Sequence, residues 1–155
     1  MLGLTRKTDY ALVALARLAE AQQFDGQALS ARQIADQYDL PAPLLMNVMK
    51  DLQRAGVVTS TRGARGGYLL AADPDEIPLS DVIEAIEGPI ALVPCCCEGD
   101  NGNGNGQQCT LEPRCPVSGP INRLQQRLAE FFQGVSLGDL LNEEIAVPLA
   151  RIGIA

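Results

Sequence analysis

Apolar residues recur every three or four positions through the first third of the chain, which is the spacing of one face of an α-helix. The pattern predicts a first helix that begins at the N-cap Thr8 and runs to about Gln22. A second helix begins at Ser30, which forms a capping-box pair with Gln33, and ends at about Tyr38. The apolar stripe of the first helix consists of Leu12, Leu15, Leu18 and Ala19.

The third predicted helix follows Pro41 and Pro43, which a first helical turn tolerates, and stops at Gly56. Its short separation from the second helix is typical of a helix-turn-helix unit. The predicted buried face consists of Leu45, Val48, Leu52 and Ala55. The opposite side consists of Pro43, Met46, Asn47, Lys50 and Arg54. An asparagine near the helix start suits adenine and basic side chains suit phosphate, so this side is either a DNA-reading surface or an ordinary solvated face.

A β-hairpin is predicted next, with strands at residues 57–59 and 68–71 and a glycine-rich turn at 62–67. A hairpin directly after a helix-turn-helix unit is a wing. Arg62 and Arg65 lie in its turn with no acidic residue nearby, so they suit contact with phosphate or with the minor groove. Residues 1–78 are therefore predicted to form a winged helix-turn-helix DNA-binding domain.

Residues 79–155 are predicted to contain a short helix over 81–87, capped by Ser80, a longer helix over about 118–133 and a short segment at 136–141. The apolar stripe of the longer helix consists of Ile121, Leu124, Leu128 and Phe131, with Phe132 adjoining. This stripe either packs on its own winged domain or pairs with a second chain. We favour pairing, since winged-helix proteins commonly bind DNA as symmetric dimers. The predicted fold class is mainly α with a small β-hairpin, ending in a long dimerisation helix.

The 155-residue chain has a net charge of −7, but this charge is unevenly distributed. Residues 1–70 contain 8 Lys and Arg against 6 Asp and Glu, a balance of +2, whereas residues 71–155 contain 4 against 13, a balance of −9. Only the first part can meet an acidic partner such as DNA. No apolar run approaches the roughly 18 residues of a membrane span, and the N-terminus lacks the pattern of a signal peptide, so we expect a cytoplasmic protein.

The chain has 5 cysteines and no histidine. An odd number of cysteines in a cytoplasmic chain argues against a disulfide framework. A structural zinc site favours close pairs of cysteines and usually histidine, and neither Cys109 nor Cys115 has a close cysteine partner. An iron–sulfur cluster, 2Fe-2S or 4Fe-4S, tolerates wide spacing and one ligand other than cysteine. We therefore interpret residues 94–116, the cysteine loop, as cluster-binding, with incidental or redox-active thiols as the alternative.

Five segments carry a resemblance to a known family: LTRKTDYAL (4–12), RGARGGY (62–68), EGPIALVPC (87–95), CTLEPRCP (109–116) and VSLGDL (135–140). Together they resemble the IscR, NsrR and RirA family of bacterial winged-helix iron–sulfur regulators, and within it the regulators of the SUF cluster-assembly system. The resemblance spans nearly the whole chain, and the wing and the cysteine pattern are specific in combination.

The resemblance implies a homodimer that binds a double-stranded DNA operator and holds a cluster through three cysteines of the loop. By position these cysteines are Cys95, Cys109 and Cys115. The chain has a triplet where a single cysteine is usual, so Cys96 and Cys97 are alternates that could also supply the fourth thiolate.

The fourth ligand differs among members of the family. IscR-like members use a histidine three residues after the last cysteine, and Ser118 stands there instead. NsrR-like members use an aspartate in the first helix of the opposite subunit, and Asp9 matches that position. A carboxylate would leave one iron labile, which suits a sensor. The alternative for Asp9 is a structural role, in which its charge stabilises the helix N-terminus through the dipole.

The expected function is a DNA-binding transcriptional repressor that senses iron, oxidative or nitrosative state and controls iron–sulfur assembly genes. Met46 stands where IscR-like members present a charged residue, so their operator preference is not transferable. Two other functions remain open: a thiol- or zinc-dependent redox repressor on the same fold, and a cluster scaffold or electron carrier, which would leave the wing arginines unexplained. The sequence has neither a nucleophile elbow nor a phosphate-binding loop, so these motifs give no support for an enzyme.

Overall fold

A computed structural model of the chain describes residues 4–24, 26–63, 66–92 and 115–142. Six helices and one hairpin lie in these ranges: α1 (Arg6–Phe24), α2 (Ala31–Tyr38), α3 (Ala42–Arg54), β1 (Val58–Thr61), β2 (Gly67–Leu70), α4 (Leu79–Glu87), α5 (Ser118–Gly134) and α6 (Leu137–Leu141), with a single 3₁₀ turn at Pro74–Glu76. The mainly helical fold with a small antiparallel hairpin confirms the predicted fold class. Within these ranges no helix is long and apolar enough to cross a membrane.

One hydrophobic core joins α1, α2, α3, the hairpin and α4. Its fully buried side chains come mainly from the predicted stripes and include Leu15, Leu18, Ile34, Leu45, Met49, Leu52 and Val82. The predicted burial of Ala55 is wrong, because α3 ends at Arg54 and Ala55 lies exposed in the turn that follows. Met49 takes the buried position in that part of the helix.

The hairpin is attached to the core by a backbone contact that the pattern did not predict. β1 and β2 pair antiparallel, with Val58 opposite Leu70 and Thr61 opposite Gly67. Leu29, just before α2, forms a β-bridge with Tyr68, with backbone N–O distances of 3.1 and 2.8 Å. The wing is therefore anchored on the helix-turn-helix unit along its second strand.

The predicted helix starts are confirmed at Ser30, where the full capping box with Gln33 is present, and wrong at Thr8 and Ser80. α1 begins at Arg6, and Thr8 is a buried residue of its first turn whose hydroxyl donates to Glu87. α4 begins at Leu79, so the buried Ser80 lies inside the helix. In both places the helix begins before the residue that was predicted as its cap.

The C-terminal helices lie on the core through a short backbone bridge. Leu79 N donates to Val135 O at 2.8 Å and Leu137 N donates to Ile77 O at 2.8 Å. Ser136 and Asp139 form a capping box that begins α6. α5 differs from every other long helix, because none of its residues is buried.

Candidate nucleic-acid interface and metal centre

The helix-turn-helix unit holds α3 with one side on the core and one side in solvent. Asp39 ends α2 in the left-handed conformation, at φ 52° and ψ 43°, which lets the chain turn sharply into α3. Pro43 lies in the first turn of α3, as predicted. All five predicted reading residues are exposed, and they form the reading face: Pro43, Met46, Asn47, Lys50 and Arg54.

The charges on the reading face are available to an anionic partner. Arg54 makes an ion pair with Asp51 at 3.2 Å, but its side chain remains 79% exposed. A pair this open contributes about 0.2–1 kcal/mol, so phosphate can displace the aspartate at small cost. Within the described ranges Lys50 makes no ion pair.

The wing is connected to α3 by a side-chain hydrogen bond. Gln53 Nε2 donates to Ser60 Oγ at 2.8 Å, which joins the last turn of α3 to β1. Thr59, Ser60 and Thr61 are all exposed on β1, and Arg62 follows them at the exposed tip. Arg65 lies outside the described residues. The structure thus places Arg62 and the reading face on neighbouring elements that share a hydrogen bond.

Only one of the five cysteines can be described. Cys115 is a free, partly exposed thiol three residues before the start of α5, and its carbonyl accepts hydrogen bonds from Ser118 N at 3.4 Å and Ser118 Oγ at 3.1 Å. Cys95, Cys96, Cys97 and Cys109 lie outside the described residues. In the part of the chain that is described, no group of three or more Cys, Asp or Glu side chains could hold a metal. A reduced thiol at the predicted ligand position nevertheless has the donor chemistry that an iron–sulfur cluster requires.

Gln125, in the middle of α5, holds the chain just before the cysteine loop. Its Oε1 accepts from Leu92 N at 2.8 Å and its Nε2 donates to Ile90 O. Sequence reasoning missed this residue, since a glutamine on a helix surface carries no signal of its own.

Glu87, at the end of α4, was missed in the same way. Its Oε1 accepts from Thr5 N at 2.9 Å, Thr5 Oγ1 at 2.6 Å and Thr8 Oγ1 at 2.5 Å. Partial burial favours the neutral acid and is the largest single influence. The hydrogen bonds and the nearby charge of Lys7 together outweigh it and hold the pKa of Glu87 below its ordinary value of 4.5.

These bonds fix the helix turn that carries Asp9. Asp9 directly follows the buried Thr8 and is exposed. Among the described residues, no hydrogen bond or ion pair engages its carboxylate. Within the described ranges, nothing competes with a further ligand for this carboxylate.

The chain is similar to known proteins over most of its length. The family described as Rrf2, iron-dependent transcriptional regulator, matches residues 4–143. A helix-turn-helix transcriptional regulator of Aquifex aeolicus is 33% identical over 153 residues, which cover 92% of this chain and 94% of that protein. An rrf2-like regulator of Rhodobacter capsulatus is 43% identical over 93 residues, which cover 59% of this chain and 62% of that protein.

Solved structures agree with the fold. CymR, the global cysteine regulator of B. subtilis, superposes with a TM-score of 0.66 at 28% identity, covering 92% of this chain and 98% of that one. IscR of T. potens superposes with a TM-score of 0.62 at 26% identity, covering 92% of this chain and 88% of that one. The relatives are transcriptional regulators, which confirms the expectation that the chain is not an enzyme.

Proposed function

The chain belongs to the Rrf2 family of DNA-binding transcriptional regulators, and from that premise we propose that it is a cytoplasmic homodimeric repressor that reads an iron–sulfur cluster. The regulated genes are those of cluster assembly, and the signals are iron supply and oxidative or nitrosative attack on the cluster. The observation that carries the proposal is the free, partly exposed thiol of Cys115 shortly before α5, on a chain whose other 4 cysteines all lie within the preceding 20 residues.

The DNA contact is assigned to the reading face and the wing tip. Asn47 lies in the first half of α3, where a side chain enters the major groove, and Lys50 and Arg54 lie one and two turns further along. Arg62 and Arg65 suit the backbone or the minor groove beside it. The hydrogen bond between Gln53 and Ser60 supports simultaneous contact, since it fixes the wing relative to the helix.

The homodimer is supported by the unburied apolar stripe of α5. Leu124 is 54% exposed and Phe131 37%, and Val117, just before the helix, is 55% exposed. A symmetric pairing of two α5 helices would remove this surface from water and set two reading faces at a fixed separation, as half-sites about one helical turn apart require.

The cluster is assigned to Cys95, Cys109 and Cys115, with Cys96 and Cys97 as alternates for the first position and for the fourth ligand. Asp9 of the partner subunit is the other candidate for the fourth ligand, and its free carboxylate on a turn fixed by Glu87 supports that role. When bound, a cluster supplies a redox-sensitive and iron-dependent link between the cysteine loop and the dimer.

The described residues would transmit a change at the loop as follows. Cys115 leads directly into α5, and α5 packs on α4, which packs on α1 and α3. A change in the position of α5 therefore alters the separation of the two reading faces. A coupling free energy of about 1–3 kcal/mol changes operator affinity about 5- to 150-fold.

The test of the cluster is made on protein purified without oxygen, by measuring iron, acid-labile sulfide and zinc per chain with the visible spectrum. We expect iron with matching sulfide in the wild type, no chromophore in Cys109→Ala or Cys115→Ala, and a largely intact chromophore in Cys96→Ala. Unchanged colour in the first two variants would contradict the assigned ligands.

The test of the DNA contact compares Lys50→Ala with Arg127→Ala, an exposed arginine on α5 that serves as a matched control. Removing one phosphate contact should weaken binding and reduce the slope of log affinity against log salt by about 0.9, whereas the control should change neither. Equal effects in the two variants would count against the reading face as the contact surface.

A second candidate is a regulator that works through thiols or zinc without a cluster. The similarity to CymR, a cysteine regulator, favours it. Zinc without sulfide, or no metal even after cluster reconstitution, would select this candidate over the first.

A further inference from the structure

The strongest unassigned feature is the contact between Gln125 and the segment 90–92. One primary amide satisfies two backbone groups of that segment, the carbonyl of Ile90 and the N–H of Leu92. A primary amide carries both a donor and an acceptor, so one glutamine can bond the two groups at once. This pairing orients the segment as well as holding it.

The chemistry of the contact makes glutamine necessary. A glutamate could still accept from Leu92 N, but it would face the carbonyl of Ile90 with an acceptor and lose that bond. A leucine would keep the apolar stem and lose both bonds. Gln126, the next residue, is exposed and offers the same side chain without this contact.

The position of the contact connects the two ends of the cysteine loop. Leu92 is three residues before Cys95, and Gln125 lies ten residues after Cys115 on α5, which begins at Ser118. The chain thus enters and leaves the loop against the same helix. We propose that Gln125 is a positioning residue, which holds residues 90–92 on α5 and so fixes where the chain enters the cysteine loop relative to Cys115. Its biological purpose rests on the proposed cluster, but the contact itself does not.

The expected size of the effect follows from the number of residues between Cys95 and the last fixed residue before it. With Gln125 in place, the tether to Cys95 begins at Leu92 and has three residues. Without it, the tether begins at Ile90, which packs on Ile83, Val135 and their neighbours, or at Glu87, and has five or eight residues. Effective concentration falls roughly as the 3/2 power of tether length, so we expect it to drop about two- to fourfold.

The experiment measures how this contact changes the disulfide equilibrium between Cys95 and Cys115. In full-length protein with Cys96→Ser, Cys97→Ser and Cys109→Ser, the only thiols are those of Cys95 and Cys115. Each disulfide between them forms as one oxidised glutathione is reduced to two glutathione molecules, so titration with glutathione buffers gives the effective concentration of the pair. Gln125→Glu is compared with Gln126→Glu, which adds the same charge one residue away.

We expect Gln125→Glu to lower the effective concentration about two- to fourfold and Gln126→Glu to leave it unchanged. Gln125→Leu provides the same test without added charge. Leucine has good helix propensity, so α5 should stay folded in this variant. Equal effective concentrations in the wild type and both Gln125 variants, with unaltered circular dichroism, would overturn the proposal.

A second measurement separates this inference from the proposed function. In the five-cysteine protein, Gln125→Glu should shorten the half-life of the cluster against a chelator, whereas operator binding by the cluster-free protein should be unaltered. If the wild type forms no cluster but the disulfide equilibrium still depends on Gln125, the proposed function fails and the positioning role stands. If the cluster forms and neither readout depends on Gln125, the positioning role fails alone.

Discussion

The winged-helix body, α1 to α4 with the hairpin, and the arm, α5, are built from similar amphipathic helices but differ in what covers their apolar faces. In the body, the stripes of α1 and α3 meet one another, and Leu15, Leu18, Leu45 and Leu52 are fully buried. In the arm, no residue is buried and Leu124 is 54% exposed. The body is therefore stabilised within one chain, whereas the apolar stripe of the arm is left partly uncovered by the described residues.

The difference shows what one amphipathic pattern can and cannot determine. A stripe predicts that a helix will be covered, because leaving apolar area in water is unfavourable by about 25 cal/mol per Å². It does not say by which surface. In the body the covering surface belongs to the same chain, and for the arm we propose a second copy.

The largest effect is expected from a matched pair of leucine truncations, one in each region. Leu52→Ala should lower the free energy of unfolding by about 2–5 kcal/mol at any protein concentration, because it leaves a cavity in the core. Leu124→Ala should have almost no effect in dilute monomer and should instead weaken dimerisation. Denaturant unfolding at several protein concentrations, with sedimentation equilibrium, measures both.

This pair of variants distinguishes an arm that is covered within its own chain from an arm that is covered by a second chain. A concentration-independent loss of more than about 2 kcal/mol in Leu124→Ala would mean that the arm is covered within its own chain, as a core leucine is. The proposed dimer interface would then be wrong.

A smaller effect is expected where the wing meets the body. A Cβ at Gly67 would lie 2.5 Å from the carbonyl carbon and 2.6 Å from the carbonyl oxygen of Leu29, so Gly67→Ala must push the second strand off its bridge. Overpacking of this kind costs about 1–3 kcal/mol. Hydrogen exchange should show loss of protection at the amides of Leu29 and Tyr68 first. Full protection there would contradict the tight contact.

Glu87 tests the junction between the two regions, since it ends α4 and holds the start of α1. Glu87→Ala removes three hydrogen bonds and leaves the buried Thr8 hydroxyl without its acceptor, so it should cost about 1–2 kcal/mol of stability. Glu84→Ala, an exposed change on the same helix, should cost much less. Chemical denaturation of the two variants measures the comparison. Equal losses of unfolding free energy would contradict a stabilising role for the hydrogen bonds to Glu87.

The same carboxylate predicts a pH dependence with a definite sign. The pKa of Glu87 is lower folded than unfolded, so its contribution is present above the unfolded value near 4.5 and is lost as the pH falls through the folded value. The stability difference between wild type and Glu87→Ala should therefore shrink on acidification. A difference that grows below pH 4.5 would contradict the assigned direction.

The sequence predicted the elements whose causes are local. The Ser30 capping box, the exposed side of α3 and the α3 stripe, apart from Ala55, depend on residues close in sequence and are present as predicted. The start of α1 was predicted wrongly at Thr8, whose hydroxyl donates instead to Glu87, 79 positions away. Ser80 was also predicted wrongly as a cap, since it lies buried inside α4. Gln125 and Glu87 were missed for the same reason: their partners are distant in sequence, and an isolated glutamine or glutamate is typical of any solvated helix.

The smallest effect, and the one of opposite sign, is expected at the end of the arm. Gly134 is the last residue of α5, and a Cβ there would meet no atom within 4 Å. Gly134→Ala should therefore raise stability by about 0.4–1 kcal/mol, since it reduces the freedom of the unfolded chain without a clash. Gly88→Ala is the control, because a Cβ there also meets nothing but the backbone has φ +84°, which strains an alanine and should lower stability. Thermal unfolding measures both, and a destabilised Gly134→Ala would mean that this end of the arm is packed against a surface, as Gly67 is, which an interface reaching the C-terminus of α5 would explain.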